Sequence, residues 1–165
     1  MCVVRVLIQR NVDGSNAFSR SWAEFKVGFN DSRGNYWLGN DRLHQLTMNY
    51  RCKLRFDLQL LSNHSWQYAE YSSFVVSSEA DNYRMRVSGY SGNAGDHFSY
   101  NNGNEFTTND RDNDERSGEN CAVLNVGGFW YKNCAWASVN AGSDGYDDFA
   151  WGWLQLKSTR MWLIC

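Results

Sequence analysis

Apolar and polar positions alternate with a period of two in three places. Leu54, Phe56 and Leu58 take turns with Arg55, Asp57 and Gln59, the pattern of a half-buried strand. Trp66–Val76 reads as a second strand. Tyr83, Met85 and Val87 alternate with Arg84, Arg86 and Ser88 as a third, with a polar turn over 77–82 between the two. Val3–Gln9 is a further strand, closed by the turn Val12-Asp13-Gly14-Ser15. The period then changes. Phe18, Trp22, Phe25 and Phe29 fall at i, i+4, i+7 and i+11, one face of a helix capped by Asn16 and ended at Gly28. This stripe is expected in the core. A second short helix, capped by Asn40 or Asp41, carries Leu43 and Leu46; His44 on it has no visible partner and reads as structural or surface. Arg84 and Arg86 fall on the non-core face of their strand and are expected to be solvated.

These elements predict an α+β domain, an antiparallel-rich sheet with two short helices. After Gly89 no period survives, and Gly, Asn, Asp and Ser dominate to Gly118. Such a stretch inside a compact domain is functional or disordered, and Trp130, Tyr131, Trp136 and two cysteines argue for order. The expected organisation is one domain over 1–165, with a scaffold over 1–89 and a loop-rich binding half over 90–165.

Composition narrows the function. The protein has 165 residues, a net charge of −2 and no basic run, which argues against a general binder of nucleic acid or anionic membrane. No apolar run approaches the ~20 residues of a membrane span. Met1–Gln9 lacks a small-residue cleavage site and does not read as a signal peptide. The cysteine count is odd, at 5. The cysteines have neither zinc nor redox spacing, which suggests an oxidising compartment. The sequons at Asn30 and Asn63 are compatible with secretion, Asn63 the better candidate in its polar turn. Proline is absent, so turns rely on Gly, Asn, Asp and Ser.

The chemistry concentrates in Asp110–Ala135. Asp110, Asp112 and Asp114 alternate with Arg111 and Asn113, an arrangement that suits a hard cation. It is not an EF-hand, because Glu115 and Cys121 stand where Gly and Glu are needed; the alternative is a solvated acidic turn. Cys121 and Cys134 follow in C-x12-C spacing, and with only His44, His64 and His97 in the sequence a disulfide is a better reading than zinc. No nucleophile–base arrangement, P-loop or H-E-x-x-H is present, and Gly89-Tyr90-Ser91-Gly92-Asn93 breaks the G-x-S-x-G pattern. Asp112 and Asp114 as a catalytic pair is the weaker reading, and no enzyme is expected.

DRDND, NCA and GGFWYKNCA in this stretch resemble the C-terminal half of a fibrinogen-related domain, as in ficolins, tenascins and angiopoietins. IQRNVDGS (8–15), GNYWLGND (34–41), LRFDL (54–58), YAEYSSF (68–74) and NYRMRVSGYSGNAGD (82–96) match the same family in order. The resemblance implies a fibrinogen C-terminal fold without the family's N-terminal subdomain, and leaves room for a homo-oligomer formed through that region. It implies Ca2+ held by the side chains of Asp112 and Asp114 and by the carbonyls of Arg116 and Gly118. The spacer to Cys121 is longer than in close relatives, so the second pair could shift to include Ser117. Asp110 would lie near the ion without touching it, or be solvated.

In acetyl-recognising relatives the peptide before the second cysteine is cis, here Asn133–Cys134, aiming the N–H groups of Cys134 and Ala135 at an acetyl oxygen. Asn125 and Ala135 stand where relatives place an aromatic and a histidine, and Tyr146 is the ring available for the pocket. Cys2, Cys52 and Cys165 have no assignable family partners. The leading expectation is a secreted, calcium-dependent lectin-like domain for acetylated glycans in innate immune recognition. The alternative is a protein- or receptor-binding extracellular-matrix module without a sugar pocket. Neither reading involves nucleic acid or a membrane.

Overall fold

The computed structural model describes residues 4–142, 145 and 148–165. The sheet is built from β1 (Arg5–Asn11), β2 (Phe29–Asn30), β3 (Tyr36–Trp37), β4 (Lys53–Leu60), β5 (Trp66–Val76), β6 (Met85–Gly92) and β8 (Leu154–Ile164). Its order is β2-β3-β1-β8-β4-β5-β6, antiparallel throughout, and the short β7 (Ala150–Trp151) pairs with β8 in a hairpin. The helices are α1 (Trp22–Val27), α2 (Asn40–Asn49) and α3 (Cys121–Leu124). The fold class is α+β, as the alternation predicts. In β4 the apolar residues Leu54, Phe56, Leu58 and Leu60 are buried and the residues between them are not. The first strand runs to Asn11, two residues past the expected end.

The sheet runs across the change of character expected near Gly89. β6 continues to Gly92, and the C-terminal strand β8 lies between β1 and β4, pairing Gln9 with Met161 and Phe56 with Met161. A buried polar network ties the loop-rich half to these strands. The Gln9 amide donates to the Val139 carbonyl, to Asn140 Oδ1 and to Thr159 Oγ1, each at 3.0 Å. Asn140 in turn donates to the Gly128 carbonyl at 2.9 Å. Buried amides need such partners, so this cluster fixes where 128–140 sits on the sheet.

The aromatic stripe reaches the core, but not as one helix. Phe18 closes a 3-10 turn, Trp22 and Phe25 lie on α1, and Phe29 begins β2. The N-cap is Ser21, not Asn16: its hydroxyl accepts from Glu24 N, and the Glu24 carboxylate accepts from Ser21 N. This reciprocal capping box ends one turn and starts the next. Gly28 closes α1 as expected. On α2, neither Asn40 nor Asp41 is the cap; the cap position is Gly39, and Asn40 begins the helix.

α2 packs on β5. Val76 N donates to Thr47 Oγ1 at 3.0 Å, and His44 Nδ1 lies 2.9 Å from the Val76 carbonyl, which gives His44 a structural partner. Arg84 is not solvated. It is half-buried and donates to the Gly103 carbonyl at 2.8 Å, to Asp81 and to Glu105. Arg86 is exposed as expected.

Candidate functional site

The acidic loop is built on short-range hydrogen bonds. Asp110 is exposed, yet its Oδ1 accepts from Trp22 N at 2.8 Å and from Thr108 Oγ1 at 2.7 Å, holding the start of α1. Arg111 lies over the Trp22 ring at 4.0 Å and donates to Asn82. Asn113 donates to the Phe106 carbonyl at 2.8 Å. Asp110, Arg111 and Asn113 are therefore anchored to neighbouring segments, with Arg111 and Asn113 half-buried and Asp112 exposed.

Asp112 and Asp114 are brought together. Asp112 Oδ1 accepts from Asp114 N at 3.3 Å; Asp114 Oδ1 accepts from Arg116 N and Oδ2 from Cys121 N, both at 2.9 Å. Burial raises the Asp114 carboxyl above its ordinary range, and the neighbouring Asp112 charge adds to this, against the two main-chain donors. A cation would offset both effects. Gly118 is exposed at φ +80°, and the Arg116 side chain pairs with Glu119 at 2.7 Å. Among the described residues no three His, Cys, Asp or Glu side chains converge. An ion here would therefore draw on two carboxylates and main-chain oxygens. Such hard oxygens fit calcium.

Asp114 also connects the loop to the disulfide through Cys121 N. The expected Cys121–Cys134 bond is formed, and Cys52 and Cys165, unassigned from sequence, form a second. Cys2 lies outside the described residues.

Four of the five residues expected to form a sugar pocket are among the described residues. Asn125 is fully buried, its carbonyl accepting from Gly142 N at 2.9 Å, and it offers no surface to a ligand. The Asn133–Cys134 peptide, expected cis, is trans, as no described peptide is cis. Asn133 is exposed and its carbonyl accepts from Tyr100 Oη at 3.3 Å. Cys134 is buried with its carbonyl on Lys132 N, and Ala135 is half-buried against the core. Tyr146 lies outside the described residues. Phe129, Trp130 and Tyr131 are fully buried, with Trp130 Nε1 donating to the Tyr83 carbonyl at 2.8 Å. Gly127 and Gly128 let this segment pass close: a Cβ at Gly127 would meet the Asn140 carbonyl at 2.0 Å, and one at Gly128 the Phe25 ring at 2.5 Å. Both sequon asparagines are exposed, Asn30 on β2 and Asn63 in the β4–β5 turn, where its Oδ1 accepts from Ser65 N at 3.0 Å.

Beside Ala135 lies a feature to which the sequence pattern assigns no role. Trp153 is 84% exposed at the tip of the β7–β8 hairpin, and Trp136 is 46% exposed. The two rings meet edge to face at 5.4 Å. His97 lies nearly parallel to Trp136 at 6.2 Å, and Tyr100 is 6.3 Å from it. The Lys132 ammonium sits 5.4 Å from the Tyr100 ring. Gly152 makes the arrangement possible: at φ +56° it leads the two-residue hairpin loop, and a Cβ there would meet His97 Nε2 at 2.3 Å. A groove of about 350 Å3 runs from Trp153 past Leu154 to Leu60, Leu61 and Ser62.

Residues 4–162 match the sequence model of the C-terminal globular domain of the fibrinogen beta and gamma chains. The protein belongs to the fibrinogen C-terminal domain family. It is 46% identical over 125 residues to mouse angiopoietin-related protein 1, covering 76% of this chain and 25% of that protein. It is 39% identical over 158 residues to Drosophila melanogaster protein scabrous, covering 93% of this chain and 20% of the other. For mouse microfibril-associated glycoprotein 4 the identity is 40% over 140 residues, with coverage of 81% and 54%. The chain thus spans from a fifth to about half the length of these relatives. The fibrinogen-like globe of human ANGPTL2 superposes with a TM-score of 0.87 at 37% identity, covering 96% of this chain and 79% of that one. The lamprey fibrin D-dimer, complexed with the peptide Gly-His-Arg-Pro-amide, gives 0.80 at 27% identity, with coverage of 97% and 61%.

Within this fibrinogen-like fold the exposed rings come from three separate segments: 97–100, Trp136 and Trp153. Only the spacing Trp151-Gly152-Trp153, an aromatic pair around a turn glycine, was a signal for them in the sequence.

Proposed function

We propose that this domain is a non-enzymatic, extracellular protein-recognition module that docks a protein partner on Trp136, Trp153 and Tyr100. The observation that carries this is the exposed ring cluster on a tight hairpin, next to a segment where the described residues expected to form a sugar pocket are buried or lack rings. Exposed Trp and Tyr on a rigid element are the usual anchors of protein interfaces, and large exposed apolar patches mark such sites. The structural neighbour holding a peptide and the relatives named for angiopoietins and microfibrils support a protein ligand and a secreted home. Two disulfides accord with an oxidising compartment. Among the described residues no helix is long and apolar enough to cross a membrane.

Asp112 and Asp114, with the carbonyls of Arg116 and Gly118, are proposed to hold calcium. Its role is structural: it neutralises the paired carboxylates and steadies the loop entering Cys121. The test of the reading is a glycan array, with and without chelator, run beside a panel of extracellular receptor ectodomains. A blank glycan array with saturable binding to an ectodomain is expected. Binding to N-acetylated glycans that free N-acetylglucosamine competes away would overturn it.

A further inference from the structure

The outward face of the sheet, opposite the core and α2, has a charge character that the net charge of −2 conceals. Cross-strand pairing and alternation place Arg5, Lys53, Arg55, Arg86, Lys157 and Arg160 on this face. The described residues of these strands add only Asp57 and Glu70 as carboxylates. Asp57 pairs with Arg5 at 2.9 Å and Arg55 at 2.8 Å, and Glu70 with Lys53 at 3.3 Å. Arg10, which pairs with Arg160, adds a seventh cation, against two acids. Arg86, Lys157 and Arg160 are exposed and have no carboxylate partner among the described residues.

Aromatic rings are interleaved with the charges. The Arg5 guanidinium lies 4.1 Å over Trp162, that of Arg55 4.3 Å over Tyr68 and that of Arg160 4.9 Å over Trp66. Stacking holds each guanidinium flat along the sheet and limits the side-chain entropy lost when a ligand binds. From β1 through β8, β4 and β5 to β6 the face spans four inter-strand steps, about 19 Å.

We propose that this face binds a sulfated polysaccharide of the glycosaminoglycan class. A broad, flat, cationic sheet lacks the enclosure that a small anion requires, but it matches a linear polyanion whose charges repeat along its length. Ring faces between the cations suit sugar rings, which stack on aromatic side chains. A lipid surface is the poorer fit, because the rings lie under the guanidiniums rather than projecting beyond them. An acidic polypeptide would meet the charges but leave the rings unused.

The probe is heparin, measured with the intact protein by calorimetry and by salt elution from a heparin column. At about 150 mM salt, where charges beyond ~8 Å are screened, binding is expected to persist and to weaken steeply as salt rises. Lys157→Gln with Arg160→Gln should weaken it at least tenfold with an unchanged melting temperature. Trp66→Ala should weaken it severalfold. Arg42→Ala, an exposed cation on α2 across the sheet, should leave it unchanged. Desulfated heparin and poly-glutamate should bind at least tenfold more weakly than heparin. No retention at about 150 mM salt, equal binding of poly-glutamate, or full affinity in the Lys157/Arg160 variant would each overturn the assignment. Trp136 and Trp153 lie off this face, so their replacement should not alter heparin binding.

Discussion

Separate removal of the two disulfides should destabilise the fold by different amounts, and the difference follows from where each bond sits. Cys121–Cys134 has a sequence separation of 13 and Cys52–Cys165 one of 113. Loop-closure entropy assigns about 3 kcal/mol to the short loop and about 5 kcal/mol to the long one, a difference of about 2 kcal/mol. The long bridge also sits where Lys53 pairs with Ile164, at the end of the β4–β8 ladder, and staples the C-terminal strand into the middle of the sheet. The comparison is urea unfolding of Cys52→Ala/Cys165→Ala and Cys121→Ala/Cys134→Ala, both with Cys2→Ser to prevent mispairing. At an m-value of roughly 2 kcal/mol/M the first pair should unfold about 1 M earlier than the second. Against a typical stability of about 5–15 kcal/mol, losing Cys52–Cys165 should leave the domain near its threshold. Equal midpoints, or a larger loss from Cys121/Cys134, would refute the loop-entropy argument and place the weight on local order around Cys121.

Asp110→Ala removes the acceptor for Trp22 N and Thr108 Oγ1 and should cost about 1–2 kcal/mol in urea unfolding, with calcium response retained. Asp112→Asn with Asp114→Asn should abolish a calcium-dependent rise in melting temperature, worth about 1–2 kcal/mol at tenfold excess over a dissociation constant of ~10⁻⁴–10⁻³ M; a full shift in the variant would place the ion elsewhere. The Tyr71 and Tyr83 phenols are pushed well above their ordinary value of 10.0, by burial first and then by bonds to Asp96 and Asp41. The unfolded protein then loses these protons before the folded one does, so stability should fall as pH rises past about 10. Tyr71→Phe and Tyr83→Phe should each flatten that fall in a pH series of urea midpoints.

The parts of the fold legible in sequence were those whose period is unbroken. Trp66–Val76 has the bounds expected of it, and β4 alternates as read. β8 escaped because its register shifts between Gln59 and Leu60 of the partner strand. Its core positions Leu156, Thr159, Met161 and Leu163 therefore follow no single period, and one of them is polar. The stripe through Phe18, Trp22, Phe25 and Phe29 reads as one helix because all four rings face the core, yet Ser21 and Glu24 carried the capping signal that starts α1 at Trp22. At the site, the alternating aspartates marked the loop but not which of them anchor to neighbouring segments. Asp110 and Asn113 are consumed by hydrogen bonds, a matter of tertiary partners that spacing does not encode. Asn125 stands where a ring would line a pocket, and its burial follows from the way Gly142 packs on it.

Protein recognition through the ring cluster is tested most directly by comparing the unmodified protein with Trp136→Ala/Trp153→Ala against an ectodomain found in the binding panel, by calorimetry. Both side chains sit at the surface, so the variant should keep its melting temperature within a few degrees. Interface anchors of this kind contribute about 2–4 kcal/mol each. The account therefore predicts at least a thirtyfold loss of affinity, about 2 kcal/mol. Affinity retained within about threefold, under 1 kcal/mol, in a folded variant would contradict it.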